Sequence, residues 1–332
     1  MRHGGDISSA SKAHDIKGQI WLDLSTGIAP NAYPLPSVPL SAWQMLPQNY
    51  SIAKLLESAR YAYNIPNNAG VIAAPGTQIL IQLLPLLYSH SRHVRILGPT
   101  YSEHAICWKR YVKNTQTVVD IQRLTRADVR VITNPNNPDG RVVGMEKLMK
   151  LAELSYKDNQ LTIIDEAFAD VAPELSIIPY SGNPGLIVLR SFGKFYGLAG
   201  LRLGFAIGPV DAIQRLEATI GPWAISGPAC EIATLALRDD TWACNARARY
   251  QSQAEMLDII LSKYGFKIIG GTSLFRLGYH YNAEYLHTAL ARQGIWTRKF
   301  ARHPFWLRFG LPGYATNFTR FESALARAQS AL

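Results

Sequence analysis

Apolar residues in this chain fall mostly into runs of four or five, bounded by polar or turn-forming positions. Val94-Arg95-Ile96-Leu97, Val129-Arg130-Val131-Ile132, Leu161-Thr162-Ile163-Ile164, Leu186-Ile187-Val188-Leu189 and Leu203-Gly204-Phe205-Ala206-Ile207 are of this kind. Their length and β-branched content predict buried strands. Elsewhere the period becomes helical, as over Met145 to Leu154 and over Ser51 to Tyr63, where Leu55, Leu56 and Ala59 share a face. Alternation of this kind predicts an α/β fold, a mostly parallel sheet with helices on both sides. The first forty residues, with Gly27, Pro30, Pro34, Pro36 and Pro39, read as an extended arm rather than a helix.

Beyond about Asp211 a helix gives way to a different order. Phe266 to Ile269 and Thr272 to Leu277 are strand-like, Ala283 to Gln293 helical, Trp306 to Leu311 strand-like, and Asn317 to Ala331 a closing helix. That pattern predicts a second, smaller α+β domain. The expected organisation is an N-terminal arm over 1–40 packing near the small domain, a large domain over 41–215 and a small C-terminal domain over 216–332. Neither repeats nor a long linker interrupt it.

Ligands of open α/β sheets gather beyond the carboxyl ends of the strands. Three of the runs are followed there by Asn134-Pro135-Asn136-Asn137, Asp165-Glu166 and Arg190-Ser191. Each alone is an ordinary loop beginning. Their joint chemistry says more once Lys194 is added. Ser191-Phe192-Gly193-Lys194 precedes Gly200-Leu201-Arg202-Leu203-Gly204, so the lysine lies in a Gly-rich bend after an apolar strand. A hydroxyl stands three positions before it and a guanidinium eight positions after. An amine that can condense with an aldehyde, beside groups that can hold a phosphate, is what pyridoxal 5′-phosphate (PLP) requires.

Composition narrows the setting. With 332 residues, 48% hydrophobic and 17% charged, the chain suits an ordinary globular protein. Its longest apolar stretch, Ile79 to Tyr88, is interrupted by Gln82 and Pro85 and is too short to cross a bilayer. The opening residues lack the apolar core of a secretory signal, and Cys107, Cys230 and Cys244 lack metal-site spacing. A cytoplasmic enzyme without a metal or membrane partner is expected. The net charge of +10 includes a cluster of Arg298, Lys299, Arg302, His303 and Arg308, which points to phosphorylated ligands rather than nucleic acid.

The segment S-F-G-K-F-Y-G-L-A-G-L-R-L-G closely resembles the cofactor-lysine segment of fold-type I PLP enzymes of the aminotransferase superfamily. The resemblance implies that Lys194 and Asp165 are catalytic, with Asp165 partnering the ring nitrogen. It further implies that Asn137, in N-P-D-G, donates to the phenolate oxygen, and that Tyr101 stacks on the ring. Gly76, Thr77 and Gln78 at a helix start would form the phosphate cup with Ser191 and Arg202. In many relatives a tyrosine before a proline reaches the phosphate across a homodimer interface. Here the dipeptide is Leu46-Pro47, and Tyr50 is a weak substitute.

Within the superfamily the chain is close to histidinol-phosphate aminotransferases. It is closer to the threonine-phosphate decarboxylases of cobalamin biosynthesis. His3-Gly4-Gly5 resembles their H-G-G opening, Asp23-Leu24-Ser25-Thr26-Gly27-Ile28-Ala29-Pro30 their D-x-S-x-x-I-N-P, and Phe168 stands where the aminotransferases usually have Tyr. Gly27 and Ala29 depart from that pattern. The implied reaction is decarboxylation of O-phospho-L-threonine to (R)-1-amino-2-propanol phosphate, with Arg308 on the carboxylate and Arg298 and His3 on the phosphate. Transamination of a phosphorylated amine is the enzymatic alternative. A non-catalytic accessory subunit is the other, and the joint presence of Asp165, Lys194 and Arg202 argues against it.

Overall fold

The computed structural model describes residues 4–14, 16, 18, 20–158 and 160–331. The chain forms two compact units. One comprises Tyr33–Asn137 and Arg141–Trp242, the other Met1–Ala32, Pro138–Gly140 and Ala243–Leu332.

The first unit is built on a seven-stranded sheet of β1 (Ala69–Ala74), β2 (His93–Leu97), β3 (Asn114–Val118), β4 (Val129–Thr133), β5 (Leu161–Asp165), β6 (Leu186–Ser191) and β7 (Gly204–Pro209). Their order across the sheet is β1-β7-β6-β5-β4-β2-β3. All pairings are parallel except those of β7, which runs against both β1 and β6. Every residue of β4, β5 and β6 is buried, which explains their unbroken apolar runs. On one face Val94, Ile96, Val129, Val131, Ile163 and Ile187 pack with Leu80, Ile81 and Leu84 of the helix Thr77–Leu87. The helix Val210–Ile220 turns Ala212, Ile213 and Leu216 into the same core.

This topology decides where polar side chains collect. The chain leaves β1, β2, β3, β4, β5 and β6 at one edge of the sheet. Because β7 is reversed, it starts at that edge, with Gly204 opposite both Ala74 and Ser191. Six loops therefore converge there.

The second unit has a four-stranded antiparallel sheet of β8 (Lys267–Thr272), β9 (Phe275–Tyr279), β10 (Arg298–Phe300) and β11 (His303–Gly310), in the order β10-β11-β9-β8. The sequence run Thr272 to Leu277 is thus a hairpin, not a single strand. The helices Ala283–Ala291 and Ala315–Ser330 bury one face each, the latter through Phe318, Phe321 and Leu325. The N-terminal arm is not wholly extended. Ile7–Ala13 is a helix whose N-cap, Asp6, accepts from Ser9 N at 3.0 Å. The proline-based expectation missed it because the prolines begin only at residue 30. Its Ala10 packs against Ala291 and Trp296, and Leu22–Asp23 pairs in parallel with Ile295–Trp296.

His287 lies buried beneath this arm, its Nδ1 2.8 Å from Thr297 Oγ1 and its ring 4.6 Å from that of Trp296. Burial, helped by Lys299, His14 and Arg298, pushes its pKa down to about 4. Between that value and the ordinary value of 6.5 the unfolded chain binds a proton that the folded unit refuses. Stability is therefore expected to fall as pH drops through this window, by roughly 3 kcal/mol from this residue alone. Urea unfolding at pH 7 and pH 4.5 measures it. An equal loss in His287→Asn as in the wild type refutes the assignment.

Candidate active site

Asp165 is the last residue of β5, buried, and flanked in the ladder by Thr133 of β4 and Leu189 of β6. A carboxylate so placed needs donors. Its Oδ1 accepts from Ala167 N at 3.1 Å, and its Oδ2 lies 2.8 Å from His104 Nε2, which is also buried. Sequence reasoning missed His104. The available signal was its place three residues after Tyr101, on the first turn of the helix Ser102–Trp108. The Tyr101 ring meets that of His104 edge to face at 6.2 Å, and its hydroxyl donates to Gln78 Oε1 at 3.1 Å. Burial, with Glu103 and Asp165 adding to it, pushes the Tyr101 hydroxyl up to about 12, so the ring stays neutral. Gln78 in turn donates to Glu103 at 3.3 Å.

The helix Thr77–Leu87 has no side-chain cap, so its first N–H groups face the convergence edge. Gly76 precedes it with φ of 79°, and a Cβ there would sit 2.7 Å from Arg202 Nη2. The guanidinium thus occupies space that any other residue at 76 would fill. Arg202 is itself left-handed, φ 52°, and its Nη1 donates to Ala199 O at 3.2 Å. Ser191 ends β6 directly opposite Gly204. Helix start, hydroxyl and guanidinium therefore surround one position.

Lys194 stands in the short helical turn Phe192–Phe195 that follows β6, half-buried, with Nζ 5.9 Å from the centre of the Phe168 ring. That turn is clamped by aromatics. Tyr196 stacks between Phe192 at 4.4 Å and Trp242 at 5.4 Å, while Tyr33 N donates to Tyr196 O at 2.9 Å. Beneath the turn lies a second missed group. Arg190 is fully buried and pairs with Glu166 at 3.1 Å and Asp170 at 2.9 Å. Burial pulls the Arg190 pKa down, but Asp170 and Glu166 more than offset it and hold it above its ordinary value. Glu166 also accepts from Ser176 Oγ at 2.6 Å and Ile177 N at 2.8 Å.

Asn137 ends a loop braced by its neighbours. Asn134 Oδ1 accepts from Val143 N at 2.8 Å, and Asn136 Nδ2 donates to Pro99 O at 2.8 Å. The next three residues, Pro138–Gly140, group with the small unit, where Gly271 N donates to Asp139 O at 2.9 Å.

In the small unit Arg298 of β10 faces Arg308 of β11 as a direct cross-strand pair. Two like charges so placed repel. Arg308 is buried, donates through Nη2 to Ser25 O at 2.9 Å and lies 5.0 Å from the Phe275 ring centre. Burial and Arg298 push its pKa down to about 9, with Asp23 opposing. A bound anion relieves both pressures. Gly4 and Gly5 meet the same place. Gly5 N donates to Ser25 Oγ at 2.8 Å, and a Cβ on Gly4 would lie 2.4 Å from Ser25 O. His3 lies outside the described residues.

The family model for class I and II aminotransferases matches residues 48–318. Threonine-phosphate decarboxylase from a Sinorhizobium species is 40% identical over 98% of both chains. The Pseudomonas aeruginosa threonine-phosphate decarboxylase is 38% identical, covering 98% of this chain and 97% of its own. The chain belongs to the threonine-phosphate decarboxylase family, within the class I and II aminotransferases. The fold agrees. Histidinol-phosphate aminotransferase from Clostridium acetobutylicum superposes with a TM-score of 0.81 at 22% identity, over 94% of this chain and all of the other. The family is PLP-dependent, and among the described residues no cluster of metal-ligating side chains occurs.

The buried pair of His104 and Asp165 supplies a test within this family member. His104→Leu leaves Asp165 with one fewer donor and is expected to cost about 1–3 kcal/mol in urea unfolding of the cofactor-free protein. His104→Asn, which can still donate, should recover much of that loss. Equal midpoints for all three proteins would remove the hydrogen bond from the account.

Proposed function

We propose that the protein decarboxylates O-phospho-L-threonine to (R)-1-amino-2-propanol phosphate, using PLP. Full-length identity of 40% to a threonine-phosphate decarboxylase carries this reading. The convergence edge fits the cofactor: a cradle at Gly76 that a Cβ would fill, an uncapped helix start, and a buried carboxylate at a strand end.

When bound, PLP supplies an aldehyde for the amine and an electron-withdrawing ring for the bond that breaks. The chain's residues do the rest. Thr77 N–H, Ser191 and Arg202 hold the phosphate, Gln78 positions Tyr101 against the ring, and the Asn137 amide donates to the phenolate oxygen. Lys194 would hold the group by its aldehyde carbon in the absence of substrate. Asp165 keeps the proton on the ring nitrogen, and His104 fixes the direction of that carboxylate. By holding positive charge on the ring nitrogen, Asp165 would let the bound group accept the electron pair left when carbon dioxide departs. Arg308 takes the substrate carboxylate in a bidentate pair, and Arg298 takes the phosphate. Transamination of a phosphorylated amine is the second reading, favoured by the fold shared with histidinol-phosphate aminotransferase.

The working enzyme is a homodimer in this reading. Leu35, Leu40, Trp43, Met45, Leu46 and Tyr50 are all exposed within one short stretch, an apolar surface that a second copy would cover.

Two experiments test these assignments. Borohydride reduction of the yellow protein should leave a pyridoxyl group on Lys194 by peptide mapping, and Lys194→Ala should carry none. Modification of another lysine refutes the site. Arg308→Ala should lower phosphothreonine decarboxylation by about two to three orders of magnitude, the worth of a buried bidentate pair. Arg298→Ala should instead erode the preference for phosphothreonine over threonine. Glutamate formation from histidinol phosphate and 2-oxoglutarate, without carbon dioxide from phosphothreonine, replaces the decarboxylase with the aminotransferase.

A further inference from the structure

We propose that the large unit carries a second anion site, on the outer part of its sheet, that takes a small phosphate-class oxyanion. Along β2 and β4 the side chains of Val94, Ile96, Val129 and Val131 enter the apolar core. Strand alternation therefore sends Arg95 and Arg130 to the opposite face. The parallel registers extend this into a row across four strands: Thr162, Arg130, Arg95 and Gln116. The row ends at β3, the edge strand, where the face is no longer covered by a helix of the core.

Against the outer end of the row lies the 3₁₀ turn Ile121–Arg126. Between turn and sheet is a depression of about 480 Å³ lined by Arg95, Gln116, Gln122, Arg123, Thr125 and Arg126. All six are polar, three are arginines, and none is a carboxylate. With three residues per turn, positions 123 and 126 eclipse, so both guanidinium groups leave the turn on the same side.

The turn is held rigid from beneath. Arg130, fully buried, donates from Nε to Leu124 O at 2.9 Å, from Nη2 to Thr125 O at 3.2 Å and from Nη1 to Ser155 Oγ at 2.9 Å. Asp120 caps the turn, accepting from Gln122 N at 2.9 Å. Arg95 Nη1 is tied to the carbonyl and side-chain oxygens of Asn114 at 3.4 and 3.3 Å. The acceptors of Arg130 and Arg95 are neutral, so they satisfy N–H groups without cancelling charge. Asp128 accepts from Arg92 N and His93 N, and it and Asp158 both act on the buried Arg130 rather than lining the depression. Neither Arg123 nor Arg126 makes a side-chain hydrogen bond or ion pair with a described residue.

A preorganised surplus of positive charge with no apolar lining selects its ligand by chemistry. No acyl chain or aromatic ring finds a seat there. Guanidinium forks match the oxygens of a phosphoryl group two at a time, and forks from two different elements suit an anion with more than one charged face. The volume fits a pyrophosphate or a small phosphorylated metabolite.

Calorimetric titration of the cofactor-loaded full chain with inorganic pyrophosphate in low-salt buffer tests this. Wild type and Arg298→Ala should share a binding event that weakens at least about tenfold in Arg123→Ala/Arg126→Ala, roughly the loss of one charge-assisted contact. The charge-reversed Arg126→Glu, a single exposed change, should abolish it. Phosphothreonine kcat and KM in the absence of pyrophosphate should match wild type in both variants. An unchanged titration in the double variant overturns the proposal. So does binding of polyglutamate where pyrophosphate produces none, since the surface would then be a protein-docking patch.

Discussion

Arg190 holds two buried carboxylates at once, and the edge of the large unit where the loops converge hangs from that arrangement. Glu166 follows Asp165 directly, and Arg190 precedes Ser191 directly. The ion pair therefore ties the end of β5 to the end of β6 at the residues next to Asp165 and Ser191. Removing one partner of such a buried pair strands an uncompensated charge at a cost of about 3–5 kcal/mol. A well-packed apolar substitute for the whole cluster would be as stable or more so. What the charged cluster adds is direction: its hydrogen bonds to Ser176 and Ile177 fix the chain after β5, which an apolar filling would leave freer to shift.

The small unit solves a different electrostatic problem. Arg298 and Arg308 are set directly opposite each other, with Arg308 out of water. Repulsion between them is partly offset by Asp23, which acts on Arg308 in the opposite sense. In the large unit the carboxylate partners are part of the chain, so that edge is complete before any substrate arrives. The pair of arginines instead has Asp23 acting on Arg308 against both burial and the neighbouring guanidinium.

Much of this could be read from the sequence wherever burial on both faces wrote a continuous signal. β4, β5 and β6 and the Lys194 bend were plain for that reason. β3, Asn-Thr-Gln-Thr-Val, was not, because an edge strand needs little apolar surface, and β1 was diluted by alanine and glycine. The helix Ile7–Ala13 is polar and short, so its signal was one capping aspartate. His104 and the Arg190 cluster escaped for a related reason. Their meaning lies in partners distant in sequence, 61 residues for His104 to Asp165 and 24 for Arg190 to Glu166. Periodicity reports which face a residue occupies, not which charge waits across from it.

Ser25 links two things that are far apart in the chain. Its carbonyl receives the Arg308 guanidinium, while its hydroxyl accepts from Gly5 N and donates to Asp23 Oδ1 at 2.6 Å. The glycine at position 4 lies so close that no side chain fits there. The orientation of the Arg308 guanidinium is thus set by a seam that includes Gly4, Gly5 and Asp23. Anything that tugs on that seam acts on Arg308 through a single serine, so Gly4 and Gly5 are in effect a tether on an arginine three hundred positions away.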